Sequence, residues 1–223
     1  LNEASFIAHP YHFEDQYALT ADKKKNSDKH RRIIEAAIKV FAKNGFYNSK
    51  VSEIARAAQV ADGTIYLYFQ NKDDILISLF EEVMQGVLDR VETAIAQETD
   101  PSRKLERFAQ AHLSLVEENQ EVSEIIQVEI RQSSKFMRGY DNVKFVKYLN
   151  IISEIIREGQ AQGLFRPDVK PGIAKRAFFG ALDEMSRYWV LSSAKKYSIS
   201  TAAREISTFF LQGMLTERGR QQL

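Results

Sequence analysis

Apolar positions recur at helical spacing through almost the whole chain. Ile33, Ile34, Ala37, Ile38 and Phe41 follow an i, i+1, i+4, i+5, i+8 order, one face of a helix with 3.6 residues per turn. Ser27 and Asp28 offer a cap for this first helix, and Asn44-Gly45 ends it, with Gly45 where a positive φ is tolerated. Lys50 to Ala58 predicts a short second helix with Val51, Ile54, Ala55 and Ala58 facing inward. After the tight turn Gln59-Val60-Ala61, Asp62 caps a third helix from Gly63 to Phe69. Asn71 caps a long fourth helix from Lys72 to about Gln97, with Asp73 and Asp74 in the first turn, where the helix dipole favours acids. Thr99-Asp100-Pro101 is a break and a restart. Further helices are predicted over 101–118, 121–138, 141–162, 171–193 and 199–217, with a loop at 163–168. The pattern gives an all-α fold of about nine helices.

Residues 1–22 show no such period and read as an irregular arm rich in aromatic residues and His. Residues 23–72 form a small helical head, and 73–223 a larger helical body. The head ends in two short helices joined by a tight turn and preceded by a third, a helix-turn-helix arrangement. In such a unit the last helix meets base edges with its N-terminal residues while its flanks hold phosphates. Ala61, Asp62, Gly63 and Thr64 are small enough for that helix start to press into a major groove. Tyr66 and Tyr68 offer hydroxyls and Lys72 a charge; packing is the competing role for both tyrosines.

Composition changes the picture in two ways. Hydrophobic residues make up 44% and charged residues 27% of the 223, and Gly and Pro are few (10 and 4), as suits long helices in a globular protein. The absence of Cys excludes a disulfide scaffold, thiolate-ligated zinc, thiol catalysis and iron–sulfur clusters, and fits a reducing, cytoplasmic setting. Neither a secretion signal nor a membrane-spanning run is evident.

Charge is uneven behind the formal net of +1. The arm holds Glu3, Glu14, Asp15 and Asp22 and no Lys or Arg. Residues 23–75 carry eleven Lys and Arg against six acidic residues, and the remainder is balanced. A basic head on a neutral body suggests a polyanionic partner; a solvated charged surface is the plainer account.

No enzyme pattern is present. His9, His12, His30 and His112 show no HExxH pairing, and no GxSxG, P-loop or GxGxxG occurs. Asp183 and Glu184 are adjacent, which on a helix turns them to different faces. The expectation is no catalysis, no cofactor and no metal.

The run Gly45-Phe46, Val51-Ser52-Glu53-Ile54-Ala55, Val60-Ala61-Asp62-Gly63-Thr64-Ile65-Tyr66-Leu67-Tyr68-Phe69 and Asn71-Lys72 resembles the DNA-binding signature of TetR-family repressors. Gln59 departs from it, standing where Gly is usual; a non-Gly residue at positive φ costs about 1 kcal/mol. Lys50 departs too, standing where Thr is common. The resemblance implies an operator-binding homodimer. It implies that Ser49, Lys50, Tyr66, Tyr68 and Lys72 hold phosphates, and that Ala61, Asp62, Gly63 and Thr64 face base edges.

The body carries a narrower resemblance. Val128 to Ser133, Tyr148-Leu149-Asn150-Ile151, Phe179 to Glu184 and Trp189-Val190 are similar to the TetR-type repressors of fatty-acid degradation in Gram-positive bacteria. That likeness implies an effector, long-chain acyl-CoA, whose binding releases DNA. An acyl chain needs an apolar tunnel. Phe145, Leu149, Phe179 and Trp189 are candidates to line it, with ordinary core packing as the alternative. Coenzyme A needs a basic mouth. Arg131, Lys135 and Arg138 share a helix face, with Gln132 beside them, and Arg103, Lys104 and Arg107 form a second cluster. Arg131 has two readings: paired to Glu129 or Glu184, or bound to an effector carbonyl or phosphate. The last two long helices, with Gly180 and Ala181 for close crossing, are expected to make the dimer. The alternative is a TetR-type repressor of efflux or stress genes that senses another lipophilic small molecule.

Overall fold

A computed structural model describes residues 21–129, 142–192 and 197–221. Ten helices follow in order: α1 (Ala21–Asn44), α2 (Val51–Ala57), α3 (Asp62–Ile65), α4 (Lys72–Ala96), α5 (Pro101–Glu118), α6 (Gln120–Glu124), α7 (Val143–Ala161), α8 (Pro171–Leu191), α9 (Ile199–Met214) and α10 (Glu217–Arg220). A π-helical turn, Ile125–Glu129, continues α6. Among the described residues there is no strand, only one isolated bridge between Phe165 and Leu215. No described helix is long and apolar enough to cross a membrane.

Asn71 and Gly45 act as the sequence predicts, but Asp62 is no cap: it is the first residue of α3, whose N-cap is Ala61 with no side-chain hydrogen bond. Asn71 Oδ1 accepts from Asp74 N–H at 3.0 Å, and Asp100 Oδ1 accepts from Ser102 N–H at 2.8 Å ahead of Pro101. Gly45 has φ 75°, and its N–H returns to the Phe41 carbonyl, closing α1. Gln59 sits at φ 55° between α2 and α3, in the strained conformation expected there.

Several element boundaries differ from the expectation; the single helix expected over 199–217 stops at Met214, where Leu215 and Thr216 turn extended, and α10 starts anew at Glu217. Helix α1 starts at Ala21, so Ser27 and Asp28 lie inside it; the run Lys23-Lys24-Lys25 consists of good helix formers and needs no cap at Ser27. The third helix closes at Ile65 and continues as tighter turns, with Leu67 N–H bonded to the Thr64 carbonyl and Tyr68 N–H to that of Ile65. This tightening lets Phe69, 2% exposed, drop into the core. The predicted helix over 121–138 changes to π geometry at Ile125, and its second half lies outside the described residues.

Helix α5 is the centre of the body and packs against α4, α7, α8 and α9. Phe108 of α5 stacks 4.9 Å from Tyr148 of α7 and lies 6.3 Å from Phe178 of α8, ring centre to ring centre. The Phe165 ring lies directly on Gly159, where a Cβ would clash with it. Helix α4 has 25 residues, about 37 Å at the usual rise, and runs from the head into the body.

Candidate nucleic-acid interface and cavity

Helix α1 is tied to the end of α2 by a cation pointing at carbonyls. Arg32 of α1 donates to the Ala58 carbonyl at 2.5 Å, at the C-terminal end of α2, and lies 3.4 Å from that of Gln59. His30 stacks on Phe69 at 4.9 Å, and its Nδ1 lies 3.2 Å from Glu82 Oε1 on α4. The Glu53 carboxylate accepts the Lys50 N–H at 2.8 Å, which fixes the start of α2.

On this frame the turn-and-helix segment presents a continuous outer surface. Ala61, Asp62 and Gly63 are exposed, Thr64 is half-buried and Tyr66 is 59% exposed. Nothing lies within 4 Å of where a Cβ would stand on Gly63, so no packing inside this chain requires Gly there. Lys50 is exposed at the start of α2. Tyr68 is half-buried with its ring edge-on to His30, so it shares in packing.

Two expected phosphate holders are occupied otherwise. Ser49 is 4% exposed, and its hydroxyl donates to the Gly45 carbonyl at 2.7 Å with that of Val40 at 3.3 Å. It closes the end of α1 from inside. The Lys72 ammonium donates to the carbonyls of Phe46, Tyr47 and Ser49 at 2.5, 3.0 and 2.9 Å and sits 4.6 Å from the Phe46 ring centre. All three of its N–H donors are used, and partial burial lowers its pKa against the opposing pull of Asp73. A residue not singled out in the sequence, Leu67, is 81% exposed between the two tyrosines. The tight turns after Ile65 leave both Tyr66 and Leu67 facing outward.

A cavity of about 610 Å³ lies behind the head. Its wall is chiefly hydrocarbon and is drawn from α1 (Ile34, Ile38), α4, α5, α6, α7 and α8. That volume is in the range of small-molecule sites. Phe145 and Phe179 line it as expected, with ring centres 5.2 Å apart. Leu149 and Trp189 do not; they are 7% and 6% exposed in the core. The cavity face of α8 is Phe179, Asp183 and Ser186, whereas Trp189 falls in the Phe178–Leu182 register. Arg131, Gln132, Lys135 and Arg138 lie outside the described residues. The second basic cluster is largely neutralised, with Lys104 on Glu158 at 2.7 Å and Arg107 on Glu98 at 2.9 Å.

Polar groups gather on one side of the cavity. His112 of α5 contacts Tyr148 Oη and Ser186 Oγ, and Gln127 donates to Asp183 at 3.1 Å. Burial drives the His112 pKa down to about 4 despite nearby Asp183, so the imidazole is neutral. Burial likewise raises the Tyr148 pKa. Asp183 and Glu184 do diverge: Glu184 is exposed and pairs with Arg187 at 2.6 Å. No group of three or more His, Cys, Asp or Glu that could hold a metal occurs among the described residues.

Comparison with known proteins matches both the head and the body of the chain. Residues 33–79 match the bacterial regulatory proteins of the tetR family, and residues 80–213 match the C-terminal region of YsiA-like proteins. The chain is 37% identical over 191 residues to the fatty acid metabolism regulator protein of Bacillus subtilis, covering 86% of this chain and 98% of that protein. The crystal structure of FadR from Bacillus subtilis in complex with stearoyl-CoA superposes with a TM-score of 0.77 at 37% identity, over 82% of this chain and 98% of that one. The fatty acid degradation regulator FadR from Bacillus halodurans gives 0.76 at 36% identity, over 83% and 95%.

Proposed function

We propose that this chain, which belongs to the tetR family of bacterial regulatory proteins, represses fatty-acid degradation genes and leaves its operator when long-chain acyl-CoA fills the cavity. The observation that carries the reading is the cavity itself: it is apolar, it is large enough for a ligand, and helices of the head and of the body both line it. A ligand that fits only one spacing of those helices shifts the head by its differential affinity. A 100-fold loss of DNA affinity requires about 2.7 kcal/mol of coupling. Each buried methylene contributes about 0.8 kcal/mol, so a few methylenes of chain length suffice. The stearoyl-CoA bound by the Bacillus subtilis relative gives the ligand class.

The DNA surface consists of Ala61, Asp62, Gly63 and Thr64 toward base edges, with Leu67 suited to a thymine methyl. Lys50 and Tyr66 hold phosphates, and Tyr68 assists from its half-buried position. Lys72 and Ser49 support the turn that carries them rather than touching DNA first. A homodimer forms through α8 and α9, where Ile173 (70% exposed) and Phe209 (71%) leave an apolar face outside. The protein works in the cytoplasm, beside its DNA.

Selection of bound fragments from bacterial genomic DNA tests this reading. The expected fragments lie upstream of fatty-acid degradation genes and share a palindrome whose half-sites are spaced by whole helical turns, about 34–36 Å or a multiple. Fragments upstream of efflux or stress genes would replace the effector with another lipophilic molecule.

A further inference from the structure

Three side chains in the cavity wall make one hydrogen-bonded chain. Tyr148 Oη lies 2.5 Å from His112 Nδ1. Ser186 Oγ lies 3.2 Å from His112 Nε2 and 3.0 Å from the Leu182 carbonyl. Tyr148 and Ser186 are each 1% exposed, and all three residues border the cavity. Packing does not call for these polar atoms. The Tyr148 ring already stacks on Phe108, and Phe at 148 would fill the same space.

Counting hydrogens shows what the chain can do. With neutral His112 there are three: one on Tyr148, one on the imidazole and one on Ser186. In one sense Tyr148 donates to Nδ1, Nε2–H donates to Ser186, and Ser186 donates to the Leu182 carbonyl. Every hydrogen is then spent within the wall. In the other sense Ser186 donates to Nε2 and Nδ1–H donates to the Tyr148 oxygen. The Tyr148 hydroxyl hydrogen is then left over for an acceptor in the cavity. The two senses are the two neutral tautomers of one imidazole, exchanging through solvent, and burial keeps His112 out of the doubly protonated form that would fix it.

We propose that the Tyr148–His112–Ser186 chain seats the thioester carbonyl of the effector, with the Tyr148 hydroxyl donating to that oxygen. The inference rests on the acyl-CoA reading above and adds to it the residues that recognise the acyl group's oxygen. The bound ligand selects the Nδ1–H tautomer. Tyr148 is the contact residue, and His112 and Ser186 are positioning residues. A chain with no oxygen at this place gains the hydrocarbon burial and nothing from the wall.

The test compares palmitoyl-CoA with its thioether, S-hexadecyl-CoA, which keeps chain and coenzyme but lacks the carbonyl oxygen. Isothermal titration of the whole protein is expected to show the thioester binding five- to tenfold tighter, the size of one neutral hydrogen bond. Tyr148→Phe is expected to bind both equally, at the thioether's level. A wild-type ratio near one, or a Tyr148→Phe ratio unchanged from wild type, overturns the proposal while leaving the acyl-CoA reading in place. If neither compound binds the wild type, that reading itself fails and takes the proposal with it. Should Tyr148→Phe fold poorly, infrared difference spectra of carbonyl-¹³C palmitoyl-CoA on wild type decide the matter. The carbonyl band is expected to move down on binding, and an unmoved band overturns the proposal.

Discussion

Ile34, on helix α1 of the head, and Phe179, on helix α8 of the body, border the same cavity. A ligand seated in that cavity would touch a head helix directly, with no need of a relay of residues to reach the DNA surface. Ile38, one turn beyond Ile34, is half-buried on the same wall. Ile38→Ala removes contact between ligand and head and leaves the body's contacts alone. The expected result is DNA affinity within twofold of wild type, with palmitoyl-CoA lowering it at least about fivefold less than in wild type. Fluorescence anisotropy of labelled operator with and without ligand measures both. Undiminished release would place the coupling elsewhere.

Gly63 separates folding from recognition. Its missing Cβ would meet nothing in the protein, so Gly63→Ala is expected to keep stability or raise it by up to about 1 kcal/mol. Operator affinity is expected to drop about tenfold, the scale of one lost close contact at a base edge. Thermal melting and anisotropy on the same sample read the two effects. Unaltered DNA binding would remove Gly63 from the interface.

Lys72 and Lys50 are both lysines of the head, yet their surroundings assign them different work. Lys72→Met deprives three carbonyls of their donor and is expected to cost about 1–2 kcal/mol in urea unfolding. Lys50→Ala is expected to leave stability within about 0.5 kcal/mol. It should instead reduce the slope of log affinity against log salt by about 0.9, one phosphate contact. The reverse assignment of these two effects would mean that Lys72 holds DNA directly.

Acid stability carries the signature of His112. Its folded pKa of about 4 lies below the ordinary value near 6.5, so the unfolded chain binds the proton more readily. Stability from this group is therefore complete above pH 6.5, declines as pH falls below it, and levels off near pH 4. Between pH 7 and pH 5 the loss is about 2 kcal/mol. His112→Gln is expected to flatten that interval when unfolding free energies are compared at the two pH values. An equal slope in both proteins would show a protonated or solvated imidazole.

Local features of the chain proved legible because local rules govern them. Gly45 stood where a helix end tolerates positive φ and Gln59 where the tetR-family resemblance implies it, and both adopt it. The helix-turn-helix frame and the all-α class came from spacing and the Asn71 cap from residue type at a helix start, whereas the Asp100 side-chain cap emerged only in the structure. What spacing could not give was partnership across the fold. Ser49 suits a phosphate and a helix-end carbonyl equally well by residue type; only its burial decides between them. Trp189 lies about 80° around α8 from Phe179, a distinction that needs to know which face meets the cavity. His112 and Tyr148 are 36 residues apart, and no periodicity connects them. The share of the wall supplied by α1 and α4 was hidden for the same reason: the apolar stripe of α1 reads as core whether a side chain or a ligand fills the space beside it.

The most direct test is release of operator DNA from the purified protein by palmitoyl-CoA, with coenzyme A and palmitate as separate controls. The account predicts that palmitoyl-CoA binds each subunit and lowers DNA affinity about 100-fold, while neither control at the same concentration does so. DNA binding that palmitoyl-CoA leaves unchanged would contradict it, even with the helix-turn-helix surface intact.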